Sequence, residues 1–207
     1  MTALLEVRNV TKVFGSGFLG RERTVAVEDI SLAISGEPPS IIAIAGESGS
    51  GKTTLARLLL GIILPTSGQV LYKGKELTRM SLTEWRGFRR EVQAIFQDPF
   101  EVYNPFYKVD HALTAPVGKF RLARSRAEMR QLIEDALQGV GLRPEETLGR
   151  YPHELSGGMR QRVMMARALL LKPRIILADE PVSMVDASLR ATILESLLKL
   201  NRELGIS

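Results

Sequence analysis

The stretch IIAIAGESGSGKTTLARLLLGI (41–62) changes character twice along its length. Its opening IIAIA is apolar without alternation, which predicts a strand buried on both faces of a parallel sheet. Gly46, Gly49 and Gly51 follow in the pattern G-x-x-x-x-G-K-S/T, and KTTLARLLLGI then predicts a helix. Strand, glycine-rich loop and helix in that order aim successive backbone N–H groups and a helix N-terminus at one point, which suits a phosphate. Lys52 adds a point charge for the outer phosphates, and Thr53 offers a hydroxyl to Mg²⁺, a cation that takes oxygen ligands. Gly46, Glu47, Ser48, Gly49, Ser50, Gly51, Lys52, Thr53 and Thr54 are therefore the candidate phosphate cradle. A merely flexible loop is the alternative, and the flanking strand and helix argue against it.

Composition sets the limits around this core. The 207 residues suffice for one substantial core with a small subdomain, not for two large domains. Hydrophobic residues at 44% and charged residues at 25% describe a globular chain. No run approaches the length of a membrane-spanning helix, and residues 1–8 lack the layout of a secretory signal, so a cytoplasmic location is expected. The absence of cysteine excludes thiolate catalysis, disulfides and Cys-ligated zinc. His111 and His153 stand too far apart in sequence to suggest a structural metal site. The net charge of +5 comes from basic residues scattered among acids, which reads as a solvated surface more readily than as a nucleic-acid or lipid footprint.

Upstream of the cradle, LLEVRNVTKVF and TVAVEDISLAI alternate apolar and polar residues and predict antiparallel strands around GSGFLGRER. Downstream, QVLYKGK reads as a strand, SLTEWRGFRR as a helix opened by a Ser81/Glu84 capping box, and VQAIF as a strand running into QDP. The texture then changes. DPFEVYNPFY precedes a helix capped by Ser125 and Glu128, with Met129, Leu132, Ile133, Ala136, Leu137 and Val140 on one face. RIILA is a further buried strand. A last helix runs from Ala187 to about Leu204, with Leu189, Ile193, Leu197 and Leu200 or Leu204 turned inward.

Two further motifs carry chemistry. RIILADEP ends a strand on two acids: Asp179 to hold Mg²⁺ through a water, and Glu180 to accept a proton from an attacking water. LSGGMRQR (155–162) places a serine cap and two glycines before a helix, a second cradle built from Ser156, Gly157 and Gly158. Met159, Met164 and Met165 along that helix read as packing residues.

The order of these motifs, with Gln97 in IFQDP and Asp186 in SMVDAS, closely resembles the nucleotide-binding subunit of ABC transporters over essentially the whole chain. The resemblance implies a P-loop NTPase, RecA-like α/β core with an N-terminal antiparallel β subdomain and an inserted helical subdomain. Residues 1–97 and 156–207 would form the core with its β part, and 98–155 the helical subdomain. It implies ATP and Mg²⁺ as cofactors, and two subunits stacked head to tail so that each signature helix binds the γ-phosphate held by the other's P-loop. The two cradles then serve two different ATP molecules. Gln97 would sense the γ-phosphate and Mg²⁺, Asp186 would link the sites across the dimer, and Phe14 would stack on adenine unless it is plain core. Met159 stands where the family commonly has glutamine, and SMVD departs mildly from the commoner SALD.

TKVFGSGFLGRERTVAVEDIS, FQDPFEVYNPF and YPHELSGGMRQRV narrow the resemblance to the ATPases of dipeptide and oligopeptide importers, a group that includes nickel and oligosaccharide systems. The implied partners are transmembrane permease subunits, a second identical or homologous ATPase and, indirectly, an extracytoplasmic solute-binding protein, with no nucleic acid. The implied location is the cytoplasmic face of the membrane. Phe100, Tyr103, Phe106 and Tyr107 either line a groove for the permease or form subdomain core. His111 and His153 read as structural or exposed.

The family's switch histidine follows one strand beyond the Asp186 helix, and this sequence ends at NRELGIS. The expectation is an incomplete domain that binds Mg·ATP and hydrolyses it poorly. Two other readings compete with a transport ATPase. One is an ATPase acting on DNA or ribosomes, which needs coiled-coil arms or tandem domains that do not fit here. The other is a catalytically silent, nucleotide-dependent dimerisation module.

Overall fold

The computed structural model describes residues 3–15, 23–96, 103–182 and 187–207. Its contacts group into two units, Met1–Val92 with Asn201–Ser207, and Gln93–Leu200. Gln97, Phe100 and Asp186 lie outside the described residues.

The first unit carries a four-stranded antiparallel sheet: β1 (Leu5–Phe14), β2 (Thr24–Ile34), β3 (Ser67–Tyr72) and β4 (Lys75–Glu76), in the order β2-β1-β3-β4. The alternation expected of β1 holds at Leu5 and Val7 and is broken before Val10, the next buried residue. Asn9 and Asp29 interrupt the β1–β2 register, both at φ 46°, and the Asn9 side-chain amide donates to Asp29 Oδ1 at 2.9 Å. Lys73 and Gly74, both at positive φ, make the tight turn between β3 and β4.

Helix α1 (Lys52–Leu59) buries Leu55, Leu58 and Leu59, and the chain leaves it through Gly61 at φ 63°. Helix α2 (Leu82–Glu91) has the reciprocal Ser81/Glu84 box that the sequence predicts. It seats Phe88 in the core, where Tyr72 and Trp85 meet its ring edge-on at 5.2 and 5.3 Å.

Residues 41–45 differ from expectation. Among the described residues no strand pairs with them, and Ile41, Ile42 and Ile44 are 58%, 44% and 48% exposed. An apolar run supplies the propensity for a strand, but the ladder forms only where a neighbouring strand takes its N–H and C=O groups.

In the second unit, β5 (Val92–Ile95, beginning at the unit boundary) pairs with β6 (Ile175–Ala178). Helices α3 (Asp110–Phe120), α4 (Arg126–Gly139), α5 (Pro144–Thr147) and α6 (Gly157–Leu169) pack together with Leu113, Val117, Ile133, Leu137 and Val163 between them. The α4 face is the one its periodicity predicts. Its cap is looser than a reciprocal box, because Glu128 accepts from the Arg124 N–H rather than that of Ser125. Helix α3 is absent from the sequence reading: Pro116 looks like a breaker, yet it lies buried inside the helix. In α7 (Ala187–Leu204), Ile193 and Leu200 are buried, whereas Leu204 points to solvent.

Candidate functional site

The phosphate cradle belongs to the first unit. Gly51 caps α1 at φ 92°, and it has no side chain to occupy the N–H groups of the first turn. A methyl at that position would overlap the Ala26 carbonyl oxygen of β2, so the loop fits only with glycine there. Gly46 is less restricted: a Cβ there would stand 2.5 Å from Ser50 Oγ, a side-chain atom that can rotate away. The Lys52 ammonium donates to the carbonyls of Gly46 and Glu47 at 2.8 and 2.7 Å, and the Ser50 N–H donates to the Glu47 carbonyl at 3.2 Å. The lysine thus closes the loop into a ring, with its charge held at the mouth of the helix.

Beside the loop is an open cavity of ≈ 430 Å³, lined by Val25, Val27 and Ile30 of β2 together with Gly46, Ser50 and Lys52. Phe14, at the end of β1, is 43% exposed, which removes the alternative that it is plain core. The Lys12 ammonium stands 5.2 Å from its ring centroid and donates to the Leu64 carbonyl at 2.8 Å.

The acidic pair and the second cradle belong to the second unit. The Asp179 N–H donates to the Ile95 carbonyl at 2.9 Å, continuing the β5–β6 pairing by one residue and setting Asp179 at the strand end. Glu180, next along, has φ 46°, an uncommon conformation for a residue with a side chain.

Ser156 caps α6, its hydroxyl accepting from the Met159 N–H at 3.2 Å. Gly157 and Gly158 follow with their N–H groups in the first turn. The arginines of LSGGMRQR turn to the protein instead: Arg160 donates to the Pro152 carbonyl at 3.1 Å and Arg162 to the Gly141 carbonyl at 3.0 Å. Met164 and Met165 are buried packing residues. Tyr103 is core, 7% exposed with its hydroxyl donating to the Arg160 carbonyl, whereas Phe106 is 86% exposed. His111 stacks on Tyr107 and His153 on Tyr151. Among the described residues no helix is long and apolar enough to cross a membrane.

The sequence reading missed one residue of α6. Gln161 is 4% exposed and donates to the carbonyl of Pro181, directly after Glu180. A signal for it exists: Gly158, Gln161, Met165 and Ala168 are buried at helical spacing, and an amide on such a stripe needs a partner.

With this geometry in hand, the family model described as "ABC transporter" matches residues 27–183, from β2 past both acids. The chain belongs to the ABC transporter family. Relatives of this family include the probable peptide ABC transporter ATP-binding protein y4tS of Sinorhizobium fredii, 44% identical over 99% of this chain and 58% of that protein. The oligopeptide transport ATP-binding protein OppF of Escherichia coli is 41% identical over 88% of this chain and 54% of its own length. The chain thus spans little more than half the length of these two ABC relatives. A solved structure described as the dimeric, post-hydrolysis state of the ATP-binding cassette MJ0796 bound to ADP and Pi matches with TM-score 0.82 and 32% identity, covering 97% of this chain and 84% of that one. The P-loop NTPase fold of the ABC cassette is therefore shown.

Proposed function

We propose that this chain binds Mg·ATP and hydrolyses it as the nucleotide-binding subunit of an import system for peptides or a similar small solute. The observation that carries the reading is the cradle: a glycine-capped helix end whose loop is closed by the Lys52 ammonium on two of its own carbonyls. Such a loop is organised before its ligand arrives, so little ordering is needed when phosphate replaces solvent at the helix end.

In this reading Lys52 and the N–H groups around Gly49, Gly51 and Thr54 take the phosphates, with Glu47, Ser48 and Ser50 completing the loop. Phe14 takes the adenine face. Thr53, Asp179 and Gln97 are the Mg²⁺ partners. A hydroxyl, a carboxylate and an amide suit an ion that brings its remaining ligands as phosphate oxygens and water. Bound Mg²⁺ supplies charge neutralisation at the γ-phosphoryl group. Glu180 accepts a proton from water as the water oxygen bonds to the γ-phosphorus and the bond to the bridging oxygen breaks, leaving ADP and phosphate. Ser156, Gly157 and Gly158 bind the nucleotide of a second subunit, and Asp186 links the two sites. Residues 98–155 act as the helical subdomain facing permease subunits at the cytoplasmic side of the membrane, with exposed Phe106 as a contact. The kinship with y4tS and OppF supports peptides as the solute class.

The test is phosphate release and ATP binding by the wild type, Lys52→Ala and Glu180→Gln. Lys52→Ala is expected to lose binding. Glu180→Gln is expected to bind ATP normally and turn it over on the order of a hundredfold more slowly. Wild-type turnover by Glu180→Gln would remove Glu180 from the base role.

A further inference from the structure

Gln161 is the buried polar group of α6 that the mechanism above leaves unused. Its side-chain amide donates to the Pro181 carbonyl. The proline ring already holds φ of residue 181, so a bond to its carbonyl removes the remaining freedom of that peptide. Upstream stands Glu180 at φ 46°, a conformation that both its Cβ and the following proline disfavour. A disfavoured conformation persists where its surroundings hold it. The hydrogen bond from Gln161 reaches this turn from the signature helix. Gln161 also sits one residue beyond Arg160, whose carbonyl accepts from the buried Tyr103 hydroxyl at 2.9 Å. The first turns of α6, capped by Ser156, are therefore tied to Tyr103 and to the turn that carries Glu180.

We infer that Gln161 is a positioning residue that fixes the backbone on which Glu180 stands and transmits movements of the signature helix to it. The inference rests on the reading of Glu180 as the proton acceptor. Binding of a nucleotide at Ser156 and Gly157 then bears on the other nucleotide of the same dimer through one side chain, with no change in the phosphate cradle.

The test compares the wild type, Glu180→Gln, Gln161→Met, which keeps the length and removes the donor, and Gln161→Glu, which keeps shape and polarity if the thioether unfolds the helix. Both Gln161 variants are expected to lose about tenfold in kcat with KM for ATP near wild type, and the unpaired Pro181 carbonyl lowers the melting temperature by about a few degrees. The Glu180 and Val182 amides are expected to exchange with deuterium faster than in the wild type, while those of α4 are unchanged. Wild-type kcat in both Gln161 variants, beside a disabled Glu180→Gln, overturns the coupling and leaves the ATPase reading standing. A fully active Glu180→Gln overturns that reading and the inference together. If the wild type itself shows no turnover, the exchange rates decide: faster at Glu180 and Val182 supports the inference, unchanged overturns it.

Discussion

At the scale of single residues, Gly51 shows how much a motif letter contains. It provides φ 92°, clearance for the Ala26 carbonyl, and a helix cap without a side chain. Gly51→Ala is expected to destabilise the first unit by about 2 kcal/mol or more, because strain and overlap with a backbone oxygen add. Denaturant unfolding with intrinsic fluorescence from Trp85 measures this, and a loss below about 0.5 kcal/mol would show that the loop shifts to accommodate the methyl. The glycines, Lys52 and the acids are legible in sequence because their chemistry is local. Gln161 is legible only as part of a helical stripe, since its partner is fixed when Pro181 comes against α6. The exposure of Phe14 and the burial of Tyr103 were likewise open choices until neighbours settled them.

At the scale of elements, the Ser81/Glu84 box that opens α2 is a local device legible in sequence, whereas its Lys75 partner comes from the fold. Its Glu84 carboxyl is lowered from 4.5 to about 2, by hydrogen bonding to Lys75 first and then by the Ser81 N–H and hydroxyl. A group whose folded value is depressed stabilises the fold above its ordinary value and loses that contribution as pH falls through the folded one. The contribution should therefore fade from about pH 4.5 toward pH 2, with Glu84 titrating near 2 in a carboxyl NMR titration. Ser81→Ala is expected to raise that midpoint and to cost about 1 kcal/mol. An unchanged midpoint would leave Lys75 as its sole cause. Two elements resisted the sequence reading for opposite reasons. Residues 41–45 have strand composition but no ladder partner among the described residues, and α3 has a proline that its surroundings tolerate.

At the scale of the whole molecule, the proposed head-to-tail pairing of two chains makes a prediction that neither site makes alone. Gly157 has open space for a side chain, with only an Arg160 nitrogen 4.0 Å from a Cβ, so Gly157→Asp is expected to fold and to repel phosphate. Lys52→Ala and Gly157→Asp chains should each be inactive, yet mixed one to one they should recover about a quarter of wild-type ATPase activity. Half of the pairs are then mixed, and each mixed pair has one intact site. No recovery on mixing would mean that cradle and signature act within one chain.

The sequence by itself determined the motifs, their order and the caps, because those depend on residue type and spacing along a few turns of chain. It thereby determined the family and the kind of ligand. Tertiary structure decided which apolar runs find a ladder, which aromatics are core, and that the signature helix is bonded to the turn bearing Glu180. Those depend on partners distant in sequence, whose approach is set by packing rather than by local preference.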